Sequence, residues 1–364
     1  MTTIRTVSLL TSLAALLLLG GCASPAPGVE ESTSRSRWTP EQAEAWASTH
    51  GWMRGSNFIP STAINQLEMW QAESFDAATI DRELGFAEGL GFNVMRVYLH
   101  HKAWEADSAG FKQRMGQYLT IADKHKIKTM FVFFDDCWNG SSQTGKQPAP
   151  KPGIHNSGWV QDPGQKESAD SSRFPLLKRY VVDVMNHFAN DKRIVLWDLY
   201  NEPGNSGKGD ASLPLLAQVF EWAHSTRATQ PVTSGVWNAS LRRYNEFQLA
   251  HSDIITFHNY SEPASMKETI DSLRSYGRPL LCSEYMARKN GSTFGTILPL
   301  LKQEKVSAIN WGLVSGKTNT IYAWSDTTHT DGSEPELWFH DIFRQDGSVY
   351  KQDEVDLIRK LCVE

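Results

Sequence analysis

Two glutamates in this chain follow directly on buried runs. "RIVLWDLYNEPGN", Arg193 to Asn205, is a strand-forming apolar stretch that stops at Asn201 and Glu202, and "PLLCSEY", Pro279 to Tyr285, brings Glu284 to the end of a second one. A carboxyl placed just after the last buried residue of a strand projects from the end of a sheet, where solvent and ligand can reach it. Two carboxyls placed in this way can face one bond, one giving a proton while the other attacks carbon. That division of labour asks for pKa values pushed apart. A neighbouring cation would lower the attacking group, and repulsion from that ionised group would raise the acid.

The elements that must position these residues are visible as a repeat. Eight apolar runs recur along the chain: Gly51 to Phe58, Asn93 to Leu99, Lys128 to Phe134, Ile194 to Tyr200, Pro231 to Trp237, Ile254 to Tyr260, Pro279 to Tyr285 and Ala308 to Val314. Amphipathic segments lie between them, among them Ala77 to Leu90, Phe111 to His125, Phe174 to Ala189 and Leu213 to Thr229. Strands alternating with helices in this number predict an α/β fold, a (β/α)8 TIM barrel in one catalytic domain over residues 38–364, with chemistry at the C-terminal strand ends. A doubly wound sheet would carry a Gly-rich turn after its first strand, and "SNFIPSTAINQ" is not one. The longest connection, Asp135 to Arg173, carries Trp138 and Trp159; loops of this length are usually functional or mobile, and it is expected to wall a substrate cleft.

On these residues the chain resembles clan A glycoside hydrolases, nearest to family 5 (cellulase and β-mannanase types). The likeness runs over Gly51 to Val314 and rests on "WDLYNEP" at the end of a fourth strand with a glutamate ending the seventh. It implies that Glu202 is the acid/base and Glu284 the nucleophile of a retaining hydrolase acting on β-linked polysaccharide or oligosaccharide such as mannan, xylan or β-glucan. It further implies that Arg96 supports the nucleophile and Asn201 binds the sugar 2-hydroxyl. His258 and Tyr260 form the sixth-strand pair, and Trp311 floors the sugar site. No cofactor or metal is called for. The chain departs from the family at the third strand's end, where "DDCW" stands in place of a histidine and His100 and His101 follow the second strand instead. Asp136 and Trp138 are added to the substrate-binding candidates, although Asp135 and Asp136 could equally cap the strand.

The N-terminus predicts processing and anchoring. Arg5, the apolar run Val7 to Leu19 and then Gly20-Gly21-Cys22 resemble a bacterial lipoprotein signal, residues 1–22, with Cys22 lipidated. A Ser-, Pro- and charge-rich tether over 23–37 follows. Ala23 after the cysteine favours the outer membrane, on its periplasmic or surface face, so membrane contact is expected through the lipid alone. A net charge of -5 with mixed signs gives no footprint for nucleic acid. Thirteen Trp residues offer platforms for flat, partly apolar ligands, and a monomer acting on carbohydrate is expected. "GLVSGKT", Gly312 to Thr318, has one residue too few between its glycines for a phosphate-binding loop. An exo-acting glycosidase and a non-catalytic carbohydrate-binding surface lipoprotein are the alternatives.

Overall fold

The structure, a computed structural model, describes Met1 and residues 35–363. The signal segment, Cys22 and most of the tether therefore lie outside the described residues. Residues 35–363 belong to one compact unit built on eight parallel strands: β1 (Arg54–Asn57), β2 (Val94–Tyr98), β3 (Lys128–Asp135), β4 (Ile194–Asn201), β5 (Val232–Thr233), β6 (Ile255–His258), β7 (Leu280–Tyr285) and β8 (Ser307–Trp311). The order is β5-β4-β3-β2-β1-β8-β7-β6, so first and last strands pair, as Gly55 does with both Val94 and Ile309. This is the expected (β/α)8 barrel. Every residue of β4 is buried, because helices cover one face and the barrel interior fills the other.

Closure between β5 and β6 is thinner than the apolar run Pro231 to Trp237 suggested. Val232 and Thr233 form their ladder pairs with β4, and toward β6 the chain makes the bridge from Val236 to Phe257. Side chains replace the missing ladder. Ser252 Oγ accepts from the Ser234 N–H at 3.2 Å, and Gln248 Nε2 donates to the Gly235 carbonyl at 2.7 Å.

The lower end of the barrel is apolar and sealed. The helix Pro40–His50 begins in a capping box between Thr39 and Gln42, and it lays Ala43 and Trp46 against Met53, Val94, Met130, Val195, Ile254, Leu281 and Ile309. Each such buried side chain contributes roughly 1.5–3 kcal/mol over exposure. Arg35 anchors the entry to this end. Its N–H donates to the His224 carbonyl at 3.0 Å and its guanidinium pairs with Asp253 at 2.7 Å, while Arg37 donates to the Ala250 carbonyl. Residues 35–37, given to the tether on composition, thus lie against the barrel. No helix among the described residues is long and apolar enough to cross a membrane.

Candidate active site at the barrel mouth

The upper end of the barrel is polar, and Arg96 is its hub. This β2 residue is fully buried and spends its donors on acceptors from three other strands. Nη1 donates to Glu284 Oε1 at 2.7 Å and to Asn57 Oδ1 at 2.8 Å; Nε and Nη2 reach Asp198 Oδ2 at 3.0 and 2.7 Å; Nη2 also reaches Asn201 Oδ1 at 2.8 Å. A guanidinium, with five donors in a rigid fork, can serve this many partners where an ammonium could not. Glu284, the penultimate residue of β7, lies within a register shift between Cys282 and Tyr285, an irregularity of the kind that re-aims a side chain. Its Oε1 also accepts from Tyr98 Oη at 2.8 Å, and its Oε2 from Tyr260 Oη at 2.7 Å. Burial pushes both phenols well above their ordinary pKa, which keeps them protonated as donors.

Glu202 is held differently. It sits one residue past β4 with φ +43, a left-handed conformation uncommon outside glycine. His258 Nδ1 is 2.8 Å from Oε1; Asn205 Nδ2 donates to Oε2 at 2.5 Å and the Cys137 thiol at 3.3 Å. Burial alone would raise the Glu202 pKa. The bond and charge of His258, with the donors on Cys137 and Asn205, outweigh it and hold the carboxyl below its usual range. The expected upward shift is therefore absent from the free site: the imidazole stands 2.8 Å from Glu202, and its bond and charge, with the neutral donors, outweigh burial. His258 Nδ1 is also 3.5 Å from Glu284 Oε2. One carboxylate oxygen of each glutamate and one His258 ring nitrogen all lie within 4.8 Å of one another.

The turn that carries Glu202 is fastened from beneath by Asp136. This carboxylate accepts from Tyr200 Oη (2.8 Å), Gly204 N (2.8 Å), Ser212 Oγ (2.6 Å) and Lys208 Nζ (2.5 Å). It is fully buried and does not line the cleft, so the assignment of Asp136 to sugar binding is corrected. Its neighbour Asp135 faces the other way, toward Asn201 and the cleft.

The cleft above these groups has a volume of about 1170 Å³. Asn201, Glu202, His258, Tyr260, Glu284, Trp311 and Trp138 all line it, as the sequence reading placed them. Trp311 lies edge-on to Tyr98 and Trp159, while Trp138 is 39% exposed and tilts over His155. The long loop does form a wall, through Cys137, Trp138, Asn139, His155, Asn156 and Trp159. Sequence reasoning missed Cys137, Asn205 and Trp324. Trp324 comes from the segment after β8, packs edge-on to Tyr260 and is 43% exposed. An exposed tryptophan in a long connection was the available signal.

Among the described residues two groups have metal-like composition, Glu202–His258–Glu284 and the buried His100–His101–Asp162. In the second, both Nδ1 atoms and the Asp162 carboxylate are already engaged, while the Nε2 atoms of the two histidines have no hydrogen-bond partner among the described residues. His101 Nδ1 bonds Asp162 Oδ1, Asp162 Oδ2 accepts from the His101 N–H at 2.8 Å, and His100 Nδ1 accepts from the Lys102 N–H at 3.2 Å. These contacts pin the long loop to the end of β2. In "GLVSGKT", Lys317 pairs with Glu68 at 2.6 Å and Gly316 lies so close to the Ser61 backbone that a Cβ would sit 2.5 Å from it, so the segment is a packed turn.

Two carboxyls facing each other in the mouth of a (β/α)8 barrel, in a cleft walled by tryptophan, define a glycoside hydrolase. The family model described as cellulase, glycosyl hydrolase family 5, matches residues 60–317. The chain belongs to that family. Among solved structures it is similar to the endo-β-1,4-mannanase from Thermotoga petrophila, with 15% identity, a TM-score of 0.55, and coverage of 87% of this chain and 77% of that one. It is similar to the exo-β-1,4-mannosidase Op5Man5 from Opitutaceae bacterium strain TAV5, with 17% identity, a TM-score of 0.58, and coverage of 85% and 59%. A GH5_18 variant from Streptomyces cattleya in complex with Manβ1-4GlcNAc gives 11% identity, a TM-score of 0.58, and coverage of 85% and 80%. No curated protein matches the chain.

Proposed function

We propose that the protein is a retaining β-glycoside hydrolase that cleaves β-linked polysaccharide or oligosaccharide by double displacement, with Glu284 as nucleophile and Glu202 as acid/base. The observation that carries this reading is the facing pair of carboxylate oxygens within 4.8 Å. Retaining enzymes hold their carboxyls roughly 5–5.5 Å apart, whereas inverting ones leave roughly 6.5–9.5 Å for a water. Arg96, Tyr98 and Tyr260 orient Glu284 as the nucleophile. Attack by Glu284 on the anomeric carbon forms the glycosyl ester as Glu202 protonates the departing oxygen; Glu202 then takes a proton from a water whose oxygen attacks the anomeric carbon, which breaks the ester, returns the Glu284 carboxylate and releases the sugar. The free site favours ionised Glu202, the form used in that second step. The first step draws on its protonated fraction, which falls as pH rises. Turnover of substrates with poor leaving groups should therefore decline toward alkaline pH, while formation of the glycosyl-enzyme from activated aryl glycosides should not.

Trp138, Trp311 and Trp324 offer stacking faces along an open cleft, which supports binding within a chain. Because the barrels named above are described as a mannanase, a mannosidase and a complex with a mannosyl disaccharide, β-mannan and β-manno-oligosaccharides come first on a panel with xylan and β-glucan. Proton NMR of the first product should show the β-anomer. An initial α-anomer would overturn double displacement, and product size separates endo from exo action. The signal-like segment supports a further proposal, a cell-envelope lipoprotein anchored at Cys22. Cys22→Ala should leave the membrane fraction; a variant that stays there, with no lipid on the wild type, would refute it.

A further inference from the structure

Asp135 is buried in the wall of the cleft, and no role for it follows from the two-glutamate chemistry. It is the direct partner of Asn201 across the β3–β4 ladder. Oδ1 accepts from Asn201 Nδ2 at 2.9 Å and from the Cys137 N–H at 3.0 Å; Oδ2 accepts from Trp159 Nε1 at 2.7 Å and Gln66 Nε2 at 3.5 Å. All four are donors, and no cation pairs with it among the described residues. Asn201 is thereby gripped from both sides, its oxygen by Arg96 and its nitrogen by Asp135; its second N–H rests on the Cys137 sulfur at 3.4 Å, a weak acceptor that a sugar hydroxyl can displace. Trp159, held by the other oxygen, backs Trp311.

We infer that Asp135 is a positioning residue for the sugar 2-hydroxyl, acting through Asn201. The inference rests on the reading above, in which Asn201 meets that hydroxyl. An amide at 135 would offer one acceptor oxygen to these donors and turn an NH2 toward the rest. The charge matters for the same reason: burial pushes the Asp135 carboxyl up to about 7, against the bonds from Asn201, Trp159 and Cys137. The titratable groups facing it are Tyr98 from β2 and Cys137 from its own strand end, with Arg96 reaching it through Asn201.

The test is the ratio of kcat/KM for a dinitrophenyl β-glycoside to that for its 2-deoxy analogue, a sugar common to the gluco and manno series. The activated leaving group removes the need for Glu202 as acid. Wild type should show a ratio on the order of 10³, because bonds to the 2-hydroxyl strengthen in the transition state. Asp135→Asn should reduce it at least tenfold, toward the value for Asn201→Ala. In wild type the ratio should rise between about pH 6 and 8 as Asp135 ionises, and this series needs no variant to fold. A folded Asp135→Asn protein with the wild-type ratio, or a ratio flat with pH, overturns this inference alone. A wild type indifferent to the 2-hydroxyl, or an Asn201→Ala variant that keeps the ratio, overturns the reading of Asn201 and this inference with it.

Discussion

Glu284 and Glu202 share one cleft but are held by different kinds of structure. Around Glu284 the donors are a buried guanidinium and two phenols; Arg96 and Tyr98 are carried on β2, and Tyr260 stands just past β6 against Trp324 and His340. Around Glu202 only His258 comes from a strand; Asn205 and Cys137 come from loops, and the backbone at 202 is left-handed. A cation with no titration near neutrality suits a group that must stay ionised and still. Neutral donors and an imidazole suit one that must gain and lose a proton within each turnover. The comparison teaches that the barrel supplies rigidity and charge on one side of the bond, and the turn after β4 supplies exchange on the other.

The sharpest way to break this contrast is to remove each carboxyl. Glu284→Ala should abolish turnover of aryl and sugar-leaving substrates alike, by several orders of magnitude, with any azide rescue giving the α-azide. Glu202→Ala should lose sugar-leaving substrates comparably, by roughly 10²–10⁴ or more, yet accumulate glycosyl-enzyme from an aryl glycoside and yield the β-azide. Opposite anomers would exchange the two roles. A smaller effect is expected from the support beneath the turn. Asp136→Ala strands Lys208 as a buried, unpaired charge and should lower stability by about 3–5 kcal/mol, read by denaturant unfolding. If the two sides are independent, that variant should still form glycosyl-enzyme from an aryl glycoside while losing acid-dependent turnover; equal loss of both steps would break the comparison. Smallest is Cys137→Ser, which exchanges a weak donor to Glu202 for a stronger one and should change kcat by less than about tenfold on poor leaving groups, with aryl substrates unmoved.

The strand ends were legible because burial on both faces writes an apolar run, and a carboxylate closing that run has one place to go. Glu202 and Glu284 were found in that way, and Asn201, His258, Tyr260 and Trp311 through the family resemblance; all six line one cleft, with Arg96, also given by that resemblance, buried against Glu284 and Asn201. Asp136 was misread because adjacent residues at a strand end point to opposite sides, and "DD" does not say which side is the mouth. Cys137, Asn205 and Trp324 were missed because their roles depend on how loops fold back, which no periodicity records. The thin closure at β5 was hidden for a similar reason: Ser252 and Gln248 replace backbone pairs from a distance in sequence.

The left-handed backbone at 202 makes the acid/base position a place where fold and chemistry want different residues. Glycine would occupy φ +43 without the steric cost that any side chain carries there. Glu202→Gly and Glu202→Ala both lose the carboxylate, so the difference between them isolates the backbone. The glycine variant should be the more stable of the pair by about 1 kcal/mol, despite the greater freedom of its unfolded chain. Substitution to glycine at this position would thus favour folding while ending catalysis, and an inactive relative that drifted free of selection on turnover would be expected to settle on it.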